Sequence, residues 1–139
     1  MKASHIIAYS VLALLVAVSG CGKNDVAALD KAGDEDLASP NKAEARQWLS
    51  APSHVVFRGE KQAVIKFVDE FYAAGVVMVY VTGIETLGGT EVTETLLLVL
   101  PKDSAVRARV FEVANRAKQA FQNNPDKDVG QKYLSFVLD

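Results

Sequence analysis

Few side chains in this sequence could act as catalysts, and most of them are carboxylates. Glu85, Glu91 and Glu94 crowd one short region, and Asp126 lies in a later polar stretch. Two carboxyl groups can share acid–base work when burial or a neighbouring charge raises the pKa of one of them. Carboxylates at this density are also ordinary on a solvated surface. We therefore predict no catalytic residues, and an enzyme only if Glu85, Glu91 or Asp126 converge in one pocket.

Donors for a metal site are equally sparse. Cys21 is the only cysteine, and His54 is the only histidine beyond the first twenty residues, so no cysteine–histidine cluster of the kind that binds zinc exists. Residues 126–130 begin like a calcium-binding loop, but Gln131 stands where that loop needs glycine and Val137 where it needs glutamate. The sequence predicts neither a metal nor a cofactor. His54 is predicted to have a surface or capping role.

Motifs for nucleophilic catalysis and anion binding are missing as well. No Gly-x-Ser-x-Gly is present. Gly88-Gly89 joins two predicted strands and does not precede a helix whose N-terminus could bind an anion. One predicted helix carries four basic residues, Arg107, Arg109, Arg116 and Lys118. The chain as a whole has fifteen basic and seventeen acidic residues, which argues against nucleic acid as a partner. We therefore predict that the basic residues lie on a solvated face of that helix.

The lone cysteine ends a distinctive N-terminal segment. Lys2 gives a positive start, residues 6–18 are almost entirely apolar, and Val18-Ser19-Gly20 precedes Cys21. This order resembles the signal peptide and lipobox of bacterial lipoproteins. The resemblance implies that residues 1–20 are removed and that the thiol of Cys21 receives a diacylglycerol. An ordinary secretory signal and an uncleaved membrane-spanning helix are the alternatives.

The lipoprotein resemblance also implies a location. The chain would be lipid-anchored in the cell envelope and face the periplasm. In the sorting rule of Gram-negative lipoproteins, Gly22 rather than aspartate after the cysteine favours the outer membrane. Because Cys21 is the only cysteine, no internal disulfide can form, although the compartment would permit one. The fold must therefore depend on its core.

The remaining chain divides by composition into a linker and one domain. Residues 21–40 are small, polar and acidic and have no aromatic side chain. Such a segment buries too little apolar surface to offset the entropy lost on ordering. It is predicted to be a lipidated flexible tether, and residues 41–139 are predicted to form a single α+β domain of a length ordinary for one core.

Hydrophobic periodicity predicts the elements of that domain. A short helix begins at Asn41 as N-cap, carries Trp48 as a core anchor and ends before Pro52. Two longer helices have apolar stripes with the spacing of one buried face. The predicted strands are 54–57, 76–84, 93–100 and 132–138, and the long helices are 60–74 and about 104–121. A loop at 85–91 joins the second and third strands into a hairpin.

The order β-α-β-β-α-β is the ferredoxin-like pattern, with two helices on one face of a four-stranded antiparallel sheet. The second and third strands are apolar on both faces, as the pairs Val79 and Tyr80 or Leu97 and Leu98 illustrate. An open sheet face this apolar would be adhesive. Either the Trp48 helix covers it, or it binds a partner, a second copy or a small apolar ligand.

The domain also resembles an uncharacterised family of small bacterial proteins through four phrases, ARQWL, FVDEFYAAG, YVTGIE and DVGQKYLSFVLD. That resemblance implies a compact domain and no particular activity. Together with the missing catalytic motifs, it favours a non-catalytic protein-interaction module. The alternative is an inhibitor or immunity-type protein that acts against a periplasmic toxin or enzyme.

Overall fold

The computed structural model describes residues 23–57 and 60–138. Cys21 and the predicted signal segment lie outside these residues. The helices are α1 (Lys23–Ala38), α2 (Ala45–Leu49), α3 (Lys61–Ala74) and α4 (Ser104–Ala120), and the strands are β1 (Ala43–Glu44), β2 (Val55–Val56), β3 (Met78–Thr82), β4 (Glu85–Leu87), β5 (Thr90–Thr93), β6 (Thr95–Val99) and β7 (Tyr133–Val137). Within the described residues, no helix is both long enough and apolar enough to span a bilayer.

The strands form two sheets, and the chain is an α+β protein as predicted. The large sheet has the order β1-β3-β6-β7 and is antiparallel throughout. The small sheet has the order β2-β5-β4, in which β2 runs parallel to β5 and β4 runs antiparallel to it. The small sheet lies at the connection between β3 and β6, where the sequence predicted only a loop at 85–91.

The predicted ferredoxin-like arrangement is not confirmed, because the strands divide between these two sheets. The predicted first strand, 54–57, yields only the two residues of β2, which joins the small sheet. A ferredoxin-like sheet would hold the first strand between the third and the fourth, but here β6 pairs directly with β7, and β1 is added at the other edge, beside β3. Hydrophobic patterning could not anticipate this rearrangement, because two-residue strands carry no readable period and the hairpin β4–β5 supplies an alternative edge for β2.

One face of the large sheet forms the core. Six inward side chains are at most 4% exposed, Val79, Val81, Leu96, Leu98, Leu134 and Phe136. Helices α3 and α4 cover them with the predicted stripes, whose buried members are Val64, Val68, Phe71, Val110, Ala114 and Ala117. Trp48 is 3% exposed in the same core, which confirms its prediction as an anchor. The Trp48 helix therefore packs on the helical side of the sheet and leaves the second face to another element.

The C-terminal end of α3 and the N-cap of α4 lie where the sequence predicted them. Gly75 ends α3 with φ 111°, a left-handed conformation that favours glycine. Asp103 caps α4 by accepting a hydrogen bond of 3.0 Å from the Val106 amide. The cap of α2 was predicted wrongly, since Glu44 and not Asn41 accepts from the Gln47 amide, at 2.8 Å.

The second face of the large sheet is packed against α1. Leu97 points to this face because its neighbours in β6 point into the core, yet it is only 1% exposed. Tyr133 shares the face, and a Cβ added at Gly33 of α1 would overlap its ring. Two aspartates of α1 complete the contact: Asp30 accepts from the Lys132 amide at 2.7 Å, and Asp34 accepts from the Tyr133 hydroxyl at 2.6 Å.

Residues 23–38 are thus a docked helix, and the prediction of an irregular tether there was wrong. Residues 23–38 contain few apolar side chains, but α1 packs through a glycine and two hydrogen-bonding aspartates. These contacts need little apolar surface. The helix begins at Lys23, two residues after Cys21 in the sequence.

Replacing Gly33 with leucine is expected to displace α1 from the sheet. The new side chain would overlap the Tyr133 ring, and overpacking of this kind costs about 1–3 kcal/mol. We expect hydrogen-exchange protection of the α1 amides to fall roughly tenfold or more, while protection in β6 changes little. Ala32→Leu at the neighbouring exposed position is the control. Equal protection in both variants would contradict the docking of α1.

The loop between α4 and β7 is held by Arg107. Its guanidinium donates to both carboxylate oxygens of Asp128, at 3.0 and 2.6 Å, and to the carbonyls of Pro101 and Gln131. Arg107 is therefore not part of a solvated basic face. Lys118 is buried as well, so the prediction of a solvated face is also wrong for this residue. Arg109 and Arg116 are exposed as predicted, and Arg116 pairs with Glu70 of α3.

Asp128 should make stability depend on pH in the acid range. The hydrogen bonds from Arg107 hold the pKa of Asp128 below its usual 3.8. A carboxyl whose folded pKa is lowered contributes stability above its unfolded pKa and loses it as the pH falls through the folded pKa. Asp128→Asn is expected to lower the unfolding free energy by about 0.5–1 kcal/mol at neutral pH, since Asp128 is largely exposed. Chemical denaturation at several pH values should show that difference shrink as the pH falls below 3.8 and through the lowered folded pKa; a constant difference would contradict it.

Candidate binding face of the small sheet

The structure does not bring the three candidate carboxylates together. Glu85 and Glu91 lie on opposite faces of the hairpin, because Glu85 pairs with Val92 and Glu91 is the next residue along. Asp126 is ion-paired with Lys118 of α4. Within residues 23–57 and 60–138, no three histidine, cysteine, aspartate or glutamate side chains gather in a way that could hold a metal ion.

The inner face of the small sheet is tied to α2 by a polar cluster of Trp48, His54 and Glu91. The His54 ring stacks on Trp48 with 4.6 Å between ring centroids. Its Nδ1 lies 2.8 Å from the Trp48 carbonyl, and its Nε2 lies 3.0 Å from the Glu91 carboxylate. Both neighbours of the ring are acceptors, so both contacts are satisfied when both ring nitrogens carry protons.

Lys61 holds the loop that carries His54. Its ammonium donates to the carbonyls of Ala51 and His54, at 2.7 and 2.9 Å. The His54 side chain is 19% exposed, so the surface part of its prediction was wrong. The contact of its Nδ1 with the Trp48 carbonyl in the last turn of α2 agrees with the capping part. Sequence spacing gave no signal for this pairing, because Glu91 is distant in the chain and reaches the cluster only through the hairpin β4–β5. The cluster fixes the small sheet against the core.

Removing the Glu91 carboxylate should loosen this attachment. Glu91→Ala is expected to lower the unfolding free energy by about 1 kcal/mol and to change the fluorescence of Trp48, the only tryptophan. Glu91→Gln should cost less, because its amide can donate to a neutral ring. Urea unfolding monitored by tryptophan fluorescence measures both effects. Glu94→Ala, which removes an exposed carboxylate nearby, is the control, and an equal change there would contradict the assignment.

The outer face of the small sheet is apolar and exposed. Strand alternation puts Val55, Val92 and Leu87 on one side, opposite the buried Val56 and Thr93. Val55 is 45% exposed, Leu87 is 54% exposed, and the neighbouring Phe57 is 42% exposed. Scattered apolar side chains are normal on a surface, but three in one short sheet form a patch of the kind that marks interaction sites.

A shallow groove of about 200 Å³ crosses this face. It is lined by Phe57, Gly83, Glu85, Leu87, Val92, Thr93 and Glu94. Small-molecule sites usually occupy about 300–1,000 Å³, so the groove fits one or two side chains of a protein better than a whole ligand. The turn beside it is tight, because Gly88 and Gly89 both have positive φ, 58° and 83°, as two-residue hairpin turns require.

Shifted pKa values lie away from this groove. Burial, and then the hydrogen bond to Glu44, raises the pKa of Tyr72 to about 12. The hydrogen bond to Asp34, and then burial, raises the pKa of Tyr133 to about 12. Burial alone would raise the pKa of Glu44, but hydrogen bonds from the Tyr72 hydroxyl and the Gln47 amide outweigh it and lower that pKa. Each shift belongs to a contact that joins two elements of the fold.

Among residues 23–57 and 60–138, the geometry therefore favours the outer face of the small sheet as the candidate site, with Glu85 and Glu94 lining an apolar groove. The inner polar cluster supports that face from behind. Comparisons with protein-family models, with curated proteins and with solved structures find nothing that matches this chain.

Proposed function

We propose that the chain is an envelope lipoprotein, anchored through lipid on Cys21, whose domain is a non-catalytic protein-interaction module. The observation that carries the proposal is the outer face of the small sheet. It presents Val55, Phe57 and Leu87 to solvent around a groove, on a sheet that the His54–Glu91 contact holds against the core.

The charges beside the groove indicate the kind of partner. Glu85 and Glu94 line it, and both are exposed. A segment with an apolar side chain next to lysine or arginine would fill the groove and pair with these carboxylates. Electrostatic complementarity of this sort mainly increases the association rate and the specificity of the complex. The proposed partner is thus another envelope protein that displays a short basic and apolar segment.

The position of α1 limits the distance between the domain and the membrane. A helix begins at Lys23, two residues after the proposed lipidation site, and it docks on β7 through Asp30, Gly33 and Asp34. A flexible tether of twenty residues would let the domain move far from the bilayer. A docked α1 keeps it close to the membrane, so the partner must also lie near that surface.

Lipid labelling tests the anchor. Cells that express the full chain are grown with a clickable fatty acid, and the chain is expected to carry the label. Cys21→Ser is expected to abolish the label and to release the protein from the membrane fraction. An unlabelled parent chain, or a label that survives in Cys21→Ser, would contradict lipidation.

Site-specific photocrosslinking tests the interaction face. A photoreactive amino acid at Leu87 of the full chain should give a discrete adduct with one envelope protein in intact cells. The control position is Val129, which is 51% exposed against 54% for Leu87 but lies in the loop after α4. The Leu87 adduct should disappear in the Glu85→Lys, Glu94→Lys background. The same adducts from both positions, or an adduct indifferent to charge reversal, would contradict the proposal.

A further inference from the structure

The large sheet has an open edge at β7. The Leu138 amide donates to the Glu94 carbonyl at 2.7 Å, and the Leu100 amide donates to the Lys132 carbonyl at 2.8 Å. Together with the register of β6 and β7, these bonds show that even-numbered residues of β7 point their backbone groups at β6. The backbone groups of Tyr133, Ser135 and Val137 therefore point away from the sheet.

The opposite edge of the same sheet is β1, a strand of only two residues beside β3. Along β3, the Val79 amide donates to the Tyr72 hydroxyl at 3.0 Å. Strand β1 pairs with Tyr80 and Val81, and the Ile84 amide donates to the Asn41 carbonyl at 3.1 Å. Proteins usually blunt sheet edges in such ways, because unpaired strands recruit other strands.

The edge at β7 has little such protection. Among its outward groups in the described part of the chain, the Val137 carbonyl accepts from the Asn123 side chain at 2.8 Å, and the amides and carbonyls of Tyr133 and Ser135 have no hydrogen bond within the fold. The strand YLSFV contains no charge and no proline. Ser135 is exposed, and Val137 is 42% exposed.

The edge is also complementary to itself. In an antiparallel pair centred on Ser135, Tyr133 of one copy faces Val137 of the other, and the two Ser135 residues exchange hydrogen bonds.

We propose that β7 is a self-association surface, across which two copies of the chain pair their β7 strands antiparallel and join their two four-stranded sheets into one. The pairing is isologous, so it closes as a dimer and does not propagate. The proposal rests on the edge of β7 and not on the binding groove, so each can be tested without the other.

A cysteine at the centre of the edge tests the register. In the proposed dimer the two Ser135 side chains face each other at about 4.5–5.5 Å between Cβ atoms, which is wider than the roughly 3.5–4.5 Å of a disulfide but within reach of a short bismaleimide crosslinker. Ser135→Cys in the full chain, in membranes treated with that crosslinker, is expected to give a covalent dimer well above the level of the parent chain. Ser104→Cys, exposed at the start of α4, is the control. Equal crosslinking from both cysteines, or none from Ser135→Cys, would overturn the register.

A proline at the same position separates association from folding. The Ser135 amide points away from β6, so Ser135→Pro removes an outward donor and keeps the ladder with β6, as edge prolines do. Sedimentation of the detergent-extracted full chain should show a dimer for the parent and a monomer for Ser135→Pro, with the same circular dichroism. A monomeric parent at high concentration, or a dimer that persists with the proline, would overturn the proposal.

Discussion

Replacing Phe71 with alanine is expected to lower the unfolding free energy by about 3–5 kcal/mol, the largest effect of any single substitution proposed for this domain. Phe71 is fully buried on α3. Its ring lies 5.4 Å from that of Phe136 in β7 and 6.5 Å from that of Phe67, measured between centroids. The substitution would leave a cavity between helix and sheet that the rigid strands cannot collapse to fill. Thermal or urea unfolding measures the loss.

The matched control for this prediction is Phe57→Ala. Phe57 is 42% exposed on the outer face of the small sheet, so its removal should cost less than about 1 kcal/mol. The two variants separate folding from binding, because Phe57→Ala should weaken the proposed partner while the domain stays folded. Similar destabilisation by both substitutions would contradict the placement of the core.

Replacing Asp126 with asparagine should have the second largest effect, about 2–3 kcal/mol. Asp126 is ion-paired with Lys118, whose ammonium also lies 4.9 Å from the centre of the Phe136 ring. Lys118 is only 8% exposed. Removing the carboxylate leaves that charge buried beside a neutral amide, and breaking a buried pair typically costs about 3–5 kcal/mol. We expect less here, because the Asp126 side chain is 33% exposed.

A double-mutant cycle checks that the cost comes from the stranded charge. Lys118→Met keeps the apolar stem of the side chain and removes the buried ammonium. The double variant should be more stable than Asp126→Asn alone, because no buried charge remains. Additive losses in urea unfolding would show that the two residues do not interact.

The long helices and the core of the large sheet could be predicted from the sequence, because each of them has a period. The apolar stripes of α3 and α4 define their buried faces, and Gly75 and Asp103 define ends. The alternation of Leu134, Phe136 and Leu138 identified the core face of the last strand, where all three are buried. These features depend on residues close together in the chain, which is where patterns are strongest.

The remaining features depend on contacts between distant residues. Helix α1 docks through Gly33, Asp30 and Asp34, a set that looks like a solvated linker when only apolar content is considered. The site shows the same limitation. Gly88-Gly89 predicted a turn, but nothing local showed that the turn belongs to an extra hairpin whose Glu91 would meet His54 and Trp48. Glu85 and Glu91 are close in the sequence, but strand alternation places them on two faces of the hairpin.

Selection of peptides against the purified full chain tests the central claim, that the outer face of the small sheet binds a basic and apolar protein segment. We predict that a random peptide library yields sequences with an apolar residue next to lysine or arginine. Their binding should weaken tenfold or more with Leu87→Asp, and likewise with Glu85→Lys combined with Glu94→Lys, and should be unchanged with Val129→Asp. A selection without such sequences, or selected peptides that bind Leu87→Asp as tightly as the parent chain, would contradict the claim.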